Sequence, residues 1–176
     1  MARAAKEITV AAPLRSVYNQ WTQFESFPNF MEGVEEVRQI TDRRLHWRAT
    51  IAGKQQEWEA EIEEQVPDQK IVWRATSGDN NAGWVTFEAA GAGETKVHLE
   101  MSYEPEGVVE NVGDALGLVE RRVEGDLKRF KEFIEERGGQ ETGAWRGEIE
   151  NKDAPGGHTQ GQGTRGELGG DQKADL

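Results

Sequence analysis

Leu45-His46-Trp47-Arg48-Ala49-Thr50-Ile51-Ala52-Gly53-Lys54-Gln55-Gln56-Glu57-Trp58-Glu59-Ala60-Glu61-Ile62-Glu63 is the stretch from which the fold is read. Leu45, Trp47, Ala49 and Ile51 alternate with His46, Arg48 and Thr50, the period of two that marks a strand with one buried face. Beyond Ala52-Gly53, Trp58, Ala60 and Ile62 alternate with Glu57, Glu59, Glu61 and Glu63. Pairing Ile51 with Lys54 across a two-residue turn sets Trp47 opposite Trp58 and Arg48 opposite Glu57. Aromatic then meets aromatic on one face, and cation meets anion on the other. The stretch is a β-hairpin with one apolar and one charged face.

Further strands follow on both sides. Upstream, residues 34–40 form a strand. Downstream, Pro67-Asp68 turns the chain into 70–76, where Ile71, Trp73 and Ala75 share a face. Gly83, Val85 and Phe87 lead the next strand, and residues 91–94 turn into 96–103, with Val97, Leu99, Met101 and Tyr103 inward. The pattern is an antiparallel meander. Ile8-Thr9-Val10 opens the chain as a first strand. Pro13 is suited to a helix start, and Leu14, Val17, Tyr18 and Trp21 make 13–21 a short amphipathic helix. The cluster Phe24-Glu25-Ser26-Phe27-Pro28-Asn29-Phe30-Met31 is a second short helical turn, closed by Gly33.

Glu104-Pro105-Glu106-Gly107 ends the sheet and opens a long helix. Val109, Val112, Leu116, Val119, Val123, Leu127, Phe130 and Ile134 step by threes and fours along one stripe. Glu106 and Glu110 lie near its start, and Lys128, Arg129, Lys131 and Arg137 toward its end, in the order the helix dipole favours. Gly138-Gly139 stops it.

The chain's 176 residues give room for one domain with a tail. A net charge of −12 argues against a nucleic-acid binder, which needs a basic face, and against a polybasic membrane anchor. With no cysteine there is no disulfide framework, thiolate metal site or thiol nucleophile. The start Met1-Ala2-Arg3-Ala4-Ala5-Lys6-Glu7 has no apolar signal-peptide core, and no apolar run approaches the ~18–20 residues of a membrane span. A soluble, cytoplasmic protein is expected. From 138 to 176 the only bulky apolar residues are Trp145, Ile149, Leu168 and Leu176, too few to offset the entropy of ordering that segment. The domain is therefore expected to span 1–137, followed by a disordered, Gly-rich acidic tail.

The element order, with Pro13, the Phe24-x-x-Phe27-Pro28-x-Phe30-Met31 cluster, Val72-Trp73-Arg74 and the terminal helix, resembles the START-like helix-grip superfamily (SRPBCC). Within it the chain looks most like the polyketide cyclase/dehydrase branch, which includes coenzyme Q-binding START-type proteins. The resemblance implies an α+β helix-grip fold: a curved antiparallel sheet of about seven strands around the C-terminal helix, with an apolar cavity between them.

Residues expected to line that cavity are Phe27, Phe30, Met31, Trp47, Ala49, Trp58, Ala60, Trp73, Ala75, Val85, Leu99, Met101, Tyr103, Gly113, Leu116 and Gly117. Large rings interleaved with alanines suggest relieved volume, although each ring taken alone also reads as plain core. Gly113-x-x-x-Gly117, costly inside a helix, has two explanations: close packing on a neighbour, or volume given up to a ligand. The second is preferred here. Pro105 and Gly107 are hinge candidates for a lid.

Chemistry is harder to find. His46 and His98 fall on outward positions and His158 in the tail, while the Glu57–Glu63 series reads as a solvated face and Arg48 and Arg74 as its partners. No catalytic residue stands out; Tyr103 is the best polar cavity group, with Tyr18 and indole N–H groups as lesser donors. No metal site and no cofactor are expected. The resemblance implies that aromatase/cyclase relatives orient a poly-β-ketone with an arginine and a tyrosine, and the inward positions Trp58, Ala60 and Ile62 supply no arginine. The reading is a non-catalytic binder of a small hydrophobic molecule, such as a quinone or isoprenoid, a lipid or an aromatic polyketide. A polyketide aromatase/cyclase is the first alternative. The second is an interaction or stress protein that docks a partner through the tail around Trp145.

Overall fold

Side-chain alternation translates directly into strand pairing. The computed structural model describes residues 2–51, 53–78, 80–104 and 112–151, except for the side chains of 2, 103, 104 and 112–116. In chain order the elements are β1 (Ala2–Val10), α1 (Leu14–Trp21), a 3-10 segment (Phe24–Asn29), β2 (Val34–Gln39), β3 (Arg44–Ile51), β4 (Lys54–Val66), β5 (Lys70–Ser77), β6 (Asn80–Gly91), β7 (Glu94–Glu104) and α2 (Val112–Glu136). The strands form one curved antiparallel sheet in the order β1-β7-β6-β5-β4-β3-β2, and α2 packs across β1 and β7. This is the helix-grip α+β architecture.

In the β3–β4 hairpin Ile51 faces Lys54, Trp47 faces Trp58 and Arg48 faces Glu57, the register that the cross-strand chemistry dictates. β1 is longer than expected. Ala2-Arg3-Ala4-Ala5 carries no β-branched residue, and its strand conformation is imposed by pairing with β7, Ala4 against Met101 and Lys6 against Leu99. In β4 an irregularity between Ile62 and Glu64 inserts one residue and reverses the alternation beyond it. Gln65 therefore points inward opposite Ile71 and is fully buried, whereas strict alternation from Ile62 would place it outside.

One end of the domain is a packed aromatic core joining α1, the 3-10 segment and the C-terminal half of α2. Ring centroids lie 5.1 Å apart for Trp21 and Phe130, 5.2 Å for Phe30 and Phe130, and 5.5 Å for Trp21 and Phe27. α2 ends where Gly138 and Gly139 both take positive φ, with the Gly139 N–H donating to the Ile134 carbonyl at 2.8 Å.

The domain boundary expected at Arg137 shifts. Residues 138–151 run back over the fold as a strap: Ile149 is buried and exchanges two 2.9 Å backbone hydrogen bonds with Gln65. Arg146 donates to Asn19 Oδ1 and Asp68 Oδ2, each at 2.7 Å, and its guanidinium covers the Tyr18 ring. Composition missed this because the strap is held by scattered contacts, Glu141 to Asn19, Thr142 to Gln20, Arg146 to Asp68 and Ile149 to Gln65, which leave no apolar pattern in the segment. Trp145, considered above as a docking motif, packs on the domain itself, its backbone N–H donating to Thr22 Oγ1 at 3.0 Å. The tail from 152 to 176 with His158, the hinge candidates Pro105 and Gly107, and Glu106, Val109 and Glu110 lie outside the described residues.

Candidate functional site on the concave face

Register brings the predicted aromatics onto one face of the sheet. Trp47 and Trp58 stack with centroids 5.7 Å apart and planes 6° from parallel. Trp73 sits further across the same face, between Ile62 on β4 and Gly83 on β6. Ala60 and Ala75 face each other beside it. The three indoles and Ala75 lie on this face and are partly exposed, an apolar trough on the sheet; Met31, Met101 and Gly117 are partly exposed too. Phe27, Phe30, Ala49, Ala60, Val85 and Leu99 are buried beneath or beside it. Phe27 and Phe30 belong to the packed ring cluster, and Phe27 also abuts Trp47 at 5.7 Å. The side chains of Tyr103 and Leu116, and the surroundings of Gly113, lie outside the described residues.

The opposite face carries the charge. Arg44 meets Glu59 at 2.9 Å, Arg48 meets Glu35 at 3.2 Å and Arg74 meets Glu63 at 3.0 Å. His46 and His98 lie there beside Glu57 and Glu7. The outward assignment of these histidines and arginines from alternation therefore matches the structure. Tyr18 does not serve as a trough donor. It is fully buried in the core, its hydroxyl accepts from Gln65 Nε2 at 3.1 Å, and burial raises its pKa.

A polar clasp that the sequence reading overlooked fixes the rim of the trough. Asp126 Oδ1 accepts from the Glu32 N–H at 3.1 Å and from Arg129 Nη2 at 2.6 Å. Arg122 donates to the Glu32 carbonyl at 2.6 Å, and Arg129 Nε to the Phe30 carbonyl at 2.9 Å. Three side chains of α2 thus hold the chain around Met31. Burial pushes the Asp126 carboxyl above its ordinary value, opposed by the Arg129 and Glu32 hydrogen bonds. The spacing of Arg122, Asp126 and Arg129, one helical face beside the apolar stripe, is the signal that reveals such a clasp. A separate surface depression of about 190 Å³ near Thr22, Phe24, Ser26 and Thr142 is smaller than the ~300 Å³ that ligand pockets usually reach.

A curved sheet that grips its C-terminal helix and presents an aromatic apolar face defines a helix-grip fold of the polyketide cyclase type. The chain belongs to the family described as polyketide cyclase / dehydrase and lipid transport, whose model matches residues 10–132. It is 49% identical over 150 residues to an uncharacterised 17.2 kDa protein of Streptomyces lincolnensis from the melC2-rnhH intergenic region, covering 85% of this chain and 99% of that one. A START superfamily protein from Mycobacterium smegmatis superposes with a TM-score of 0.72 at 14% identity, over 78% of this chain and 99% of its own. The Zhui aromatase/cyclase from Streptomyces sp. R1128 superposes with a TM-score of 0.65 at 17% identity, over 77% and 94%. At these identities the structural likeness is one of fold. Among the described residues no helix is long and apolar enough to cross a membrane.

Proposed function

We propose that the protein binds a small, flat, mainly apolar molecule on the concave face of the sheet and carries it without transforming it. The observation that supports this reading is the Trp47–Trp58 stack beside Trp73, partly exposed and relieved by Ala60 and Ala75. Offset stacking on such rings favours planar ligands. The described histidines, and Arg44, Arg48 and Arg74 with their glutamates, lie on the other face of the sheet, away from any reacting group bound in the trough.

The test is a titration with a short-chain ubiquinone, an isoprenoid alcohol, a fatty acid and an anthraquinone. At least one should quench tryptophan fluorescence saturably and raise Tm, by about 2.7 kcal/mol of added stability at a hundredfold excess over Kd. Trp58→Leu should weaken that response, and the ligand should be recovered unaltered. Silence across all four classes would overturn the reading, and recovery of a cyclised or dehydrated product would convert it to catalysis.

A further inference from the structure

We infer that Trp47 and Gln56 form a polar anchor in the trough, one that selects a flat ring system bearing a hydroxyl group. The inference rests on the pocket reading above and specifies its ligand.

Trp47 Nε1 and Gln56 Oε1 are both buried without a hydrogen-bond partner. The hairpin register places the two residues together. Trp47 faces Trp58, Ala49 faces Gln56, and the two pairs occupy successive rows of the same face. Gln56 has the parity of Trp58 and Ala60, whereas its neighbour Gln55 lies on the charged face and donates to Glu35 Oε2 at 3.0 Å. Stacking on Trp58 and contact with Phe27 hold the Trp47 indole in place.

Other unpartnered polar atoms are differently placed. Trp21 Nε1 and Gln65 Oε1 belong to residues sealed in the core, and Asp68 Oδ1 to a carboxylate whose other oxygen already holds Arg146, while Trp47 and Gln56 belong to partly exposed residues on the apolar face. One is a donor and the other an acceptor. A ketone satisfies only the indole N–H, a protonated amine only the amide oxygen, and a hydrocarbon neither. A hydroxyl accepts from one and donates to the other, which points to phenols, enols and hydroquinones. A site with buried polar groups discriminates against an analogue that leaves them unpaired.

Calorimetric titration with 2-naphthol and with 2-methylnaphthalene, nearly equal in shape, isolates the hydroxyl. The parent should bind 2-naphthol about tenfold more tightly, or better, as one hydrogen-bond pair implies. Gln56→Leu and Gln56→Met should each remove that preference while retaining 2-methylnaphthalene, and Gln55→Leu on the charged face should leave it intact. Equal affinity of the parent for the two probes, or a preference that survives both Gln56 variants, would overturn the anchor alone. Binding of neither probe to the parent would overturn the pocket reading and the anchor with it.

Discussion

The indole of Trp73 lies against Gly83 on the neighbouring strand, so closely that a Cβ added at 83 would stand 2.7 Å from Trp73 Cζ2 and 2.5 Å from the Glu100 carbonyl oxygen. The glycine is the reason a tryptophan fits at this place in the sheet. Its missing side chain is the space that the indole occupies, and the trough takes its floor from that exchange.

Gly83→Ala should therefore be destabilising even though alanine suits a strand as well as glycine does. The carbonyl belongs to the backbone and cannot step aside, so a loss of about 1–3 kcal/mol is expected, with a shift in tryptophan emission. Urea unfolding monitored by fluorescence measures both. An alanine variant as stable as the parent, with unchanged emission, would refute the contact.

The strap is expected to belong to the cooperative unit. Ile149 is 4% exposed and bonded through its backbone to Gln65, so Ile149→Ala should cost about 2–5 kcal/mol. A chain ending at Arg137 should lose at least as much and melt at lower temperature by calorimetry. Identical melts for the truncated and full chains would show that residues 138–151 contribute nothing.

Tyr18 and Gln65 form a buried polar pair. Gln65 Oε1 has no partner, and its Nε2 has only the Tyr18 hydroxyl. Tyr18→Phe should strand the whole amide and cost about 1–3 kcal/mol. Adding Gln65→Met should recover most of that loss, because no donor or acceptor is then left unpaired. A double-mutant cycle in urea decides the matter: losses that simply add would mean the two groups are uncoupled.

Two carboxyl groups of α2 should respond to pH in opposite senses. Burial raises the Asp126 pKa, so its contribution to stability is full below the ordinary Asp range and is lost as pH rises through the raised value. Glu135, bonded to Lys131 Nζ at 2.7 Å and to the Ala11 N–H at 2.8 Å, is held below its ordinary value. Its contribution is present above the ordinary Glu range and is lost as pH falls through the lowered value. Between about pH 3 and about pH 7 the Tm of Asp126→Asn should climb relative to the parent, while that of Glu135→Gln should fall relative to it. Two variants drifting in the same direction would contradict the assignment.

Much of this was legible in the chain because strands have a strict period. Leu45 to Glu63 fixed a hairpin register, and the register alone put Trp47 on Trp58 and sent Arg48 and His46 to the far side. The apolar stripe of α2 and its glycine stop were equally local signals. The candidate site was legible only as a face. That Trp73, Trp58 and Ala75 share it follows from parity, but that Phe27 and Phe30 are spent in the core depends on where α1 and α2 converge.

Tertiary structure decided the rest, for one physical reason: contacts between distant segments leave no periodic trace in either partner. An inserted residue between Ile62 and Glu64 turned Gln65 into the core, the strap found Gln65 and Asp68 across a gap of some eighty residues, and three polar side chains of α2 found the carbonyls of Phe30 and Glu32 and the Glu32 N–H. Local alternation determined which way each side chain points. Only the closing of the sheet around the helix determined what each one meets there.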